Sequence, residues 1–309
     1  GRSPGRLPLP RGRPRERTYN TVCIDTVRIL SQQCERIRLQ NTSFHYEIVV
    51  ADDASTDTTC IEHNRQIADL PSCRFIEKET NTGSASTRNF LARSSQYQWL
   101  LFLDCDMQIT DDELIARYLN DNHTAQVVNG GIRIGNCEES CSNLRYIYEK
   151  QSEPNHTAEK RSLRPYHCFR STNFLIRREI MLDCPFDERF LKSGYEDVLL
   201  GKQLKQRRVS VAHIDNPTTM TDFENNPDYM VKIERSLRTL HTFRSDLSGF
   251  SPLLTLAEGI HIGPVRTVIR LWHKVFGPIE RRWLCGKHPN LTVFKLYKLG
   301  YYLSLTKND

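Results

Sequence analysis

The chain has 309 residues, 38% hydrophobic and 26% charged, enough for one large α/β domain with an extension around a sizeable core. Its net charge of +6 sits at one end. Residues 1–17 hold six arginines and one glutamate, and removing them from 43 basic and 37 acidic residues leaves 37 and 36, so a nucleic-acid-coating surface is not expected.

Ten cysteines are spread over the length. Cys137 and Cys141 are the closest pair, with no second pair at zinc spacing, so reduced thiols of a cytosolic protein are expected instead of a disulfide framework or a zinc site. No apolar run approaches the ~18–20 residues that span a bilayer. The N-terminus has no apolar core of a signal peptide.

In chain order, residues 1–17 are Arg, Pro and Gly with too little apolar content to order themselves, and a disordered arm is expected. Ile24, Val27, Leu30, Cys34 and Ile37 share one face of a helix over 24–39. Residues 46–51 form a strand ending in Asp52-Asp53-Ala54-Ser55-Thr56-Asp57, where Asp57 caps a helix over 58–68. A short strand covers 73–76. The small residues of Asn81-Thr82-Gly83-Ser84-Ala85-Ser86-Thr87 then open a helix carrying Arg88 and Asn89. Such an opening lets a ligand approach closely and favours anions.

Trp99-Leu100-Leu101-Phe102-Leu103 reads as a strand buried on both faces, and it ends in Asp104-Cys105-Asp106. Carboxylates at the carboxyl end of such a strand lie where open α/β sheets place their crevice. A hard divalent cation holding phosphate oxygens suits the pair, and a turn or helix cap accounts for it equally well at this point. A helix follows Thr110-Asp111-Asp112-Glu113, then a strand over 126–134 broken by Gly130-Gly131. Residues 136–166 are polar and read as a helical excursion. The chain returns to the sheet over 169–176. Gly194-Tyr195-Glu196-Asp197 opens a helix with Leu199, Leu200 and Leu204 on one face, a last strand covers 209–214, and 226–242 is helical. From 253 to 305, basic and aromatic residues interleave on helices. Helices packed on the domain with snorkelling bases are preferred, with peripheral contact to an anionic membrane as the second reading. The alternation as a whole is that of a mostly parallel, doubly wound α/β sheet with helices on both faces.

Four stretches together resemble a family-2 glycosyltransferase of the GT-A fold: Val49 to Asp57, Asn81-x-Gly83 with Arg88-Asn89, Phe102 to Asp106, and Gly194 to Asp197. The likeness is to short bacterial enzymes that assemble surface polysaccharides and runs from about Tyr19 to Tyr302. It implies a domain over 18–245 with a helical extension over 246–309 packed on it. It also implies roles: Tyr19, Asp52, Asp53, Arg88 and Asp104 at the nucleotide, Asp106 with Asp104 at Mn2+ or Mg2+, Asp197 with Glu196 in catalysis, and Asn173, Gly194 and Tyr195 in the sugar and acceptor loop. The donor would be a UDP-sugar, the acceptor a glycan or lipid-linked hydroxyl, the outcome inversion, and the place the cytoplasm or the inner face of the cell membrane. No nucleic-acid partner is expected.

Two departures stand out. Relatives open with an apolar strand where this chain has Arg13-Pro14-Arg15-Glu16-Arg17, and they often carry a metal-binding His where Met220 stands. His213 is close in sequence but lies in a strand, and is not taken as a ligand. A nucleotide-sugar-binding homologue with impaired catalysis is therefore the alternative. An Asp-x-Asp phosphatase is a weaker one, since Gln108 stands where that class has Thr or Val.

Overall fold

The computed structural model of the chain describes residues 20–120, 124–191 and 194–305. The expected arm, Arg13–Arg17 and Tyr19 lie outside them. Asn20 bridges the turn after the first strand: its amide donates to Ser55 Oγ at 2.9 Å, and its Oδ1 accepts from the amides of Thr56 and Asp57.

The first half follows the apolar spacing closely. Helix α1 (Ile24–Gln40) lays Ile24 and Val27 over strands β1 (Ile48–Asp52) and β2 (Cys73–Glu77), which are parallel neighbours, with Ile67 filling the gap. Between them runs α2 (Thr58–Arg65), capped as expected by the Asp57 carboxylate, which accepts from the amides of Thr59 and Cys60. Then come α3 (Gly83–Ser94), β3 (Trp99–Leu103), the short β4 (Met107–Gln108) and α4 (Leu114–Asn120). The paired glycines split the single expected strand over 126–134 into β5 (Val127–Asn129) and β6 (Ile132–Ile134), which belong to different sheets. Gly131 has φ +87 at the break, a left-handed conformation that a side chain would strain.

The excursion holds α5 (Leu144–Ser152) and α6 (Ala158–Ser162) before β7 (Asn173–Arg177), α7 (Arg178–Asp183), α8 (Glu196–Gln206), β8 (Val211–His213) and β9 (Thr218–Met220). The central sheet has the order β3-β7-β5-β8. β3, β5 and β8 run one way and β7 runs against them. The physical reason is that the excursion leaves the sheet beyond Asn129 and re-enters at the same end, where Asn173 pairs with Leu103. Phe102 and Phe174, opposite one another in that pairing, stack at 5.0 Å and anchor the main core with Phe169 and Phe186. A small third sheet, β4-β9-β6, flanks it. Among the described residues β1 pairs with β2 and with no other strand.

Helix α9 (Asn226–Thr242) matches its expected span and leads through α10 (Arg244–Leu247) and α11 (Pro252–Gly259) to α12 (Gly263–Leu284) and α13 (Leu291–Leu305). Tyr302, Leu254, Leu247, Leu240 and Leu199 share one cluster, and Tyr229, Leu284 and Phe294 share another, so the extension packs on α8 and α9. Among the described residues no helix is long and apolar enough to cross a membrane.

One assignment is corrected here. Asn173 does not line a sugar or acceptor loop. It is 1% exposed, its Nδ2 donates to the carbonyls of Gly131 and Asn216 at 3.1 and 2.8 Å, and its Oδ1 accepts from the Tyr118 hydroxyl at 2.7 Å. Strand register turns it inward, where it ties both glycine-break and β8–β9 turns to the sheet. Asn173→Ala should therefore cost about 2–4 kcal/mol of stability in urea unfolding, because three buried polar groups lose their partner. Nucleotide affinity of the folded fraction should be unchanged.

Candidate active site

The site is built where the ends of β1 and β3 meet the starts of α3 and α8. β3 delivers Asp104, whose amide is held by the Thr172 carbonyl at 3.0 Å, and a turn closed from Met107 N to the Asp104 carbonyl presents Cys105 and Asp106. Asp104 and Asp106 are half-buried. Arg88, one and a half turns into α3, reaches Asp104 Oδ1 through Nη2 at 2.7 Å and Glu196 Oε1 through Nη1 at 3.5 Å. The guanidinium also lies over the Phe186 ring, 5.3 Å from its centre. Burial disfavours the charge on Arg88, and the two carboxylates more than offset it. Its Nη1 is buried and makes the ion pair with Glu196 without a hydrogen bond.

Asp53 takes a different part from the one expected. It is 3% exposed, and its Oδ1 accepts from Lys78 Nζ at 2.5 Å and the Thr82 amide at 3.0 Å, while Oδ2 accepts from the Gly83 amide at 2.8 Å. Burial pushes this carboxyl up, but Lys78 and the Thr82 amide outweigh it and hold it below the usual range. The anion that the opening of α3 was expected to attract is thus supplied by the protein itself. Asp53 fixes the helix start and is not free to meet a base. Gly83 is required there twice over: its φ is +83, and a Cβ would stand 2.6 Å from the Leu191 carbonyl oxygen. Asp52 accepts from the Ser55 amide at 2.8 Å and shapes the following turn.

Glu196 is likewise an anchor in this arrangement. It is 6% exposed and accepts from Ser84 Oγ at 3.2 Å and from the Gly194 amide at 2.6 Å, besides its contact with Arg88. The Gly194 bond bends the chain sharply, with φ +131 at Gly194 and +70 at Tyr195. Tyr195, half-buried, packs against the core shared by α8 and the C-terminal helices, with Ser236 and Ser251 at its hydroxyl. The turn leaves Asp197 in the first turn of α8, half-buried, accepting from the Val198 amide at 2.8 Å. Burial and the neighbouring Glu196 push its carboxyl up to about 6, against the pull of Arg170 and Arg88. Two residues that the sequence did not single out act here. Lys78 follows β2 as the acids follow their strands, a signal that was legible. Arg170 faces Asp197 from the excursion, and no local pattern marks it.

For a divalent ion, Asp104 and Asp106 are the available carboxylates. Among the described residues no third His, Cys, Asp or Glu completes a cluster with them. Met220 pairs with Met107 across β4–β9 and is buried in a small apolar cluster with Ile134, so that position offers no ligand. His213 has both ring nitrogens engaged, one by Arg161 Nη1 at 2.8 Å and the other by the Pro165 carbonyl at 2.9 Å, and burial pulls it down to about 4. The Cys23 thiol and the flanking carboxylates push the Cys105 thiol well up, so it stays protonated and a poor ligand. Two carboxylates and no more fit Mg2+ or Mn2+, which take the rest of their shell from phosphate oxygens and water.

The family model described as Glycosyl transferase family 2 matches residues 19–184, more than half of the chain and all of the site except the start of α8. An uncharacterized glycosyltransferase from Haemophilus influenzae is 26% identical over 186 residues, which is 60% of this chain and 60% of that relative. The mannosyltransferase PcManGT from Pyrobaculum calidifontis, solved with GDP-Man and Mn2+, has a TM-score of 0.51 at 13% identity, covering 94% of this chain and 86% of its own. S. aureus TarS 1–349 has a TM-score of 0.48 at 17% identity, covering 94% and 89%. The likeness to the mannosyltransferase is one of fold, and the matched motifs carry the rest: the chain belongs to glycosyl transferase family 2.

Proposed function

We propose that the chain transfers a sugar from a nucleoside-diphosphate sugar, a UDP-sugar first among them, to a hydroxyl of a glycan or lipid-linked acceptor, with inversion and with a divalent metal. Bacterial surface-polysaccharide assembly in the cytoplasm is the setting proposed. All ten cysteines are free thiols, which suits that compartment. The observation that carries the reading is the run Asp104–Arg88–Glu196, which ends beside a carboxyl raised to about 6 at Asp197.

The chemistry follows from those groups. Asp197 accepts the proton of the acceptor hydroxyl, and a carboxylate of raised basicity does so better than an ordinary one. The acceptor oxygen forms its bond to the anomeric carbon from the face opposite the diphosphate. The bond from that carbon to the phosphate oxygen breaks, and the electron pair leaves with the nucleoside diphosphate. One displacement inverts the centre and leaves the proton on Asp197. Arg88, paired with Asp104 beside the strand end, contributes positive charge near the diphosphate. Held by Asp106 with Asp104, Mg2+ or Mn2+ would supply charge that offsets the leaving diphosphate.

A second reading, a nucleotide-sugar-binding homologue with impaired turnover, is favoured by Met220, which is buried among apolar residues and offers a metal no ligand. Binding of UDP and Mn2+ in calorimetry without turnover on any acceptor pool would select it.

Asp197→Asn should lower transfer at least about a hundredfold while UDP affinity stays within about twofold. Weak UDP binding in that variant would make Asp197 a scaffold residue. In the parent, kcat/KM should fall about tenfold per pH unit below pH 6, where Asp197 takes up its proton.

The same shift has a stability sign. The folded carboxyl lies above its unfolded value, so the fold favours the neutral form and loses stability as pH rises from about 4 to about 6. Asp197→Asn, neutral throughout, should exceed the parent by about 1–3 kcal/mol at pH 7 and match it below pH 4 in urea unfolding. Asp106→Ala should abolish the strengthening of UDP binding by Mn2+. If titration with and without Mn2+ still differs in that variant, Asp106 is not the ligand.

A further inference from the structure

α12, the longest helix among the described residues, has two apolar faces, and the protein uses one. Ile269, Gly277 and Leu284 face α9 and α13, and the approach to α13 is close enough that a Cβ on its Gly300 would press on the His273 side chain of α12. The other face carries Val265, Val268, Leu271, Val275, Ile279 and Trp283, between 41% and 64% exposed. Trp272 and Phe276 lie on the same side with ring centres 4.3 Å apart. At roughly 100° per residue these side chains fill an arc of about 140°. Contiguous exposed apolar surface of this kind is uncommon on a soluble chain and marks a contact.

The flanks say which contact. Lys274 and Arg282 are exposed beside and within the face, Arg266, Arg270 and Arg281 turn the other way to the Ala257 and Leu303 carbonyls and to Glu234, and the helix has a single acid, Glu280, which is 7% exposed and accepts from Trp272 Nε1 at 2.8 Å. Arg270, Lys274 and Arg281 also line a cavity of about 610 Å³ between α12 and α13, with Tyr297 and Tyr301. A second copy docked face to face would set these bases against their own kind. The arginine-rich residues 1–17 would repel them equally. A layer of anionic headgroups over an apolar interior complements both features at once, with tryptophans at the boundary.

We propose that α12 seats the protein on a membrane containing anionic lipid, its exposed face in the acyl boundary and its basic flank at the phosphates. Seated so, the protein meets acceptors carried on lipids. That last consequence rests on the transfer reading, whereas the seating does not.

Co-flotation of the full chain with phosphatidylglycerol–phosphatidylcholine vesicles, with phosphatidylcholine vesicles alone, and at low and high salt tests the seating without any sugar donor. Strong flotation with the mixed vesicles, weakened by salt and by loss of phosphatidylglycerol, is the expected result. Val268→Ser/Val275→Ser/Ile279→Ser should lower it by about tenfold or more, with an unchanged thermal melt showing that the fold is kept. Lys274→Glu/Arg282→Glu should remove the preference for phosphatidylglycerol. Flotation unaffected by the serine variant would overturn the assignment to this face. Absence of flotation, with the parent dimeric in sedimentation and the serine variant monomeric, would make it a contact between copies instead.

Discussion

A buried guanidinium cannot be left alone, and Arg88 shows what that demands of the rest of the chain. Unpaired, its desolvation would far exceed what the surrounding apolar contacts return. Asp104 and Glu196 meet that demand from two elements that are distant in sequence. The end of β3 and the start of α8 are thereby held at a fixed separation across α3. Asp53 does the same work one turn earlier, tying the end of β1 to the first amides of α3 through Lys78 and Gly83. The crevice owes its shape to these two charge clusters more than to any apolar packing, because both lie where strands stop and the core ends.

Much of this was legible in the residues. The apolar run Trp99–Leu103 became a strand of the four-stranded sheet, α9 kept its span, and Asp57 capped α2, since each signal is local and of one period. Side-chain direction at strand ends was not legible. Neighbouring residues point to opposite faces, so which of Asp52 and Asp53 turns inward depends on where Lys78 arrives from β2. Asn173 and Glu196 turn inward for the same reason. Each is polar and near the site in sequence, yet each is held inward by partners that only the folded chain supplies. Arg170 was missed because β7 and α7 separate it in sequence from Asp197.

α12 shows another limit of sequence reading. Basic and aromatic residues interleave there, and composition does not say which of two apolar faces packing will consume. Once α13 and α9 take the side of Leu284, the tryptophan side remains. The packing that the snorkelling reading expects is met on one face of the helix, and the proposed membrane seat is the other.

The reversed strand β7 bears on how such a fold can diverge. Because the chain departs beyond β5 and comes back at the same edge, everything between β6 and β7 is a closed detour. Insertions or deletions within it leave every register in the central sheet unchanged, and the closure entropy of a longer detour grows only slowly. Arg170, at its return, is the residue through which a rebuilt detour would still touch Asp197. A rebuilt detour would also have to replace Arg161, which donates to the carbonyls of Asn129 and Ile214 at the ends of β5 and β8.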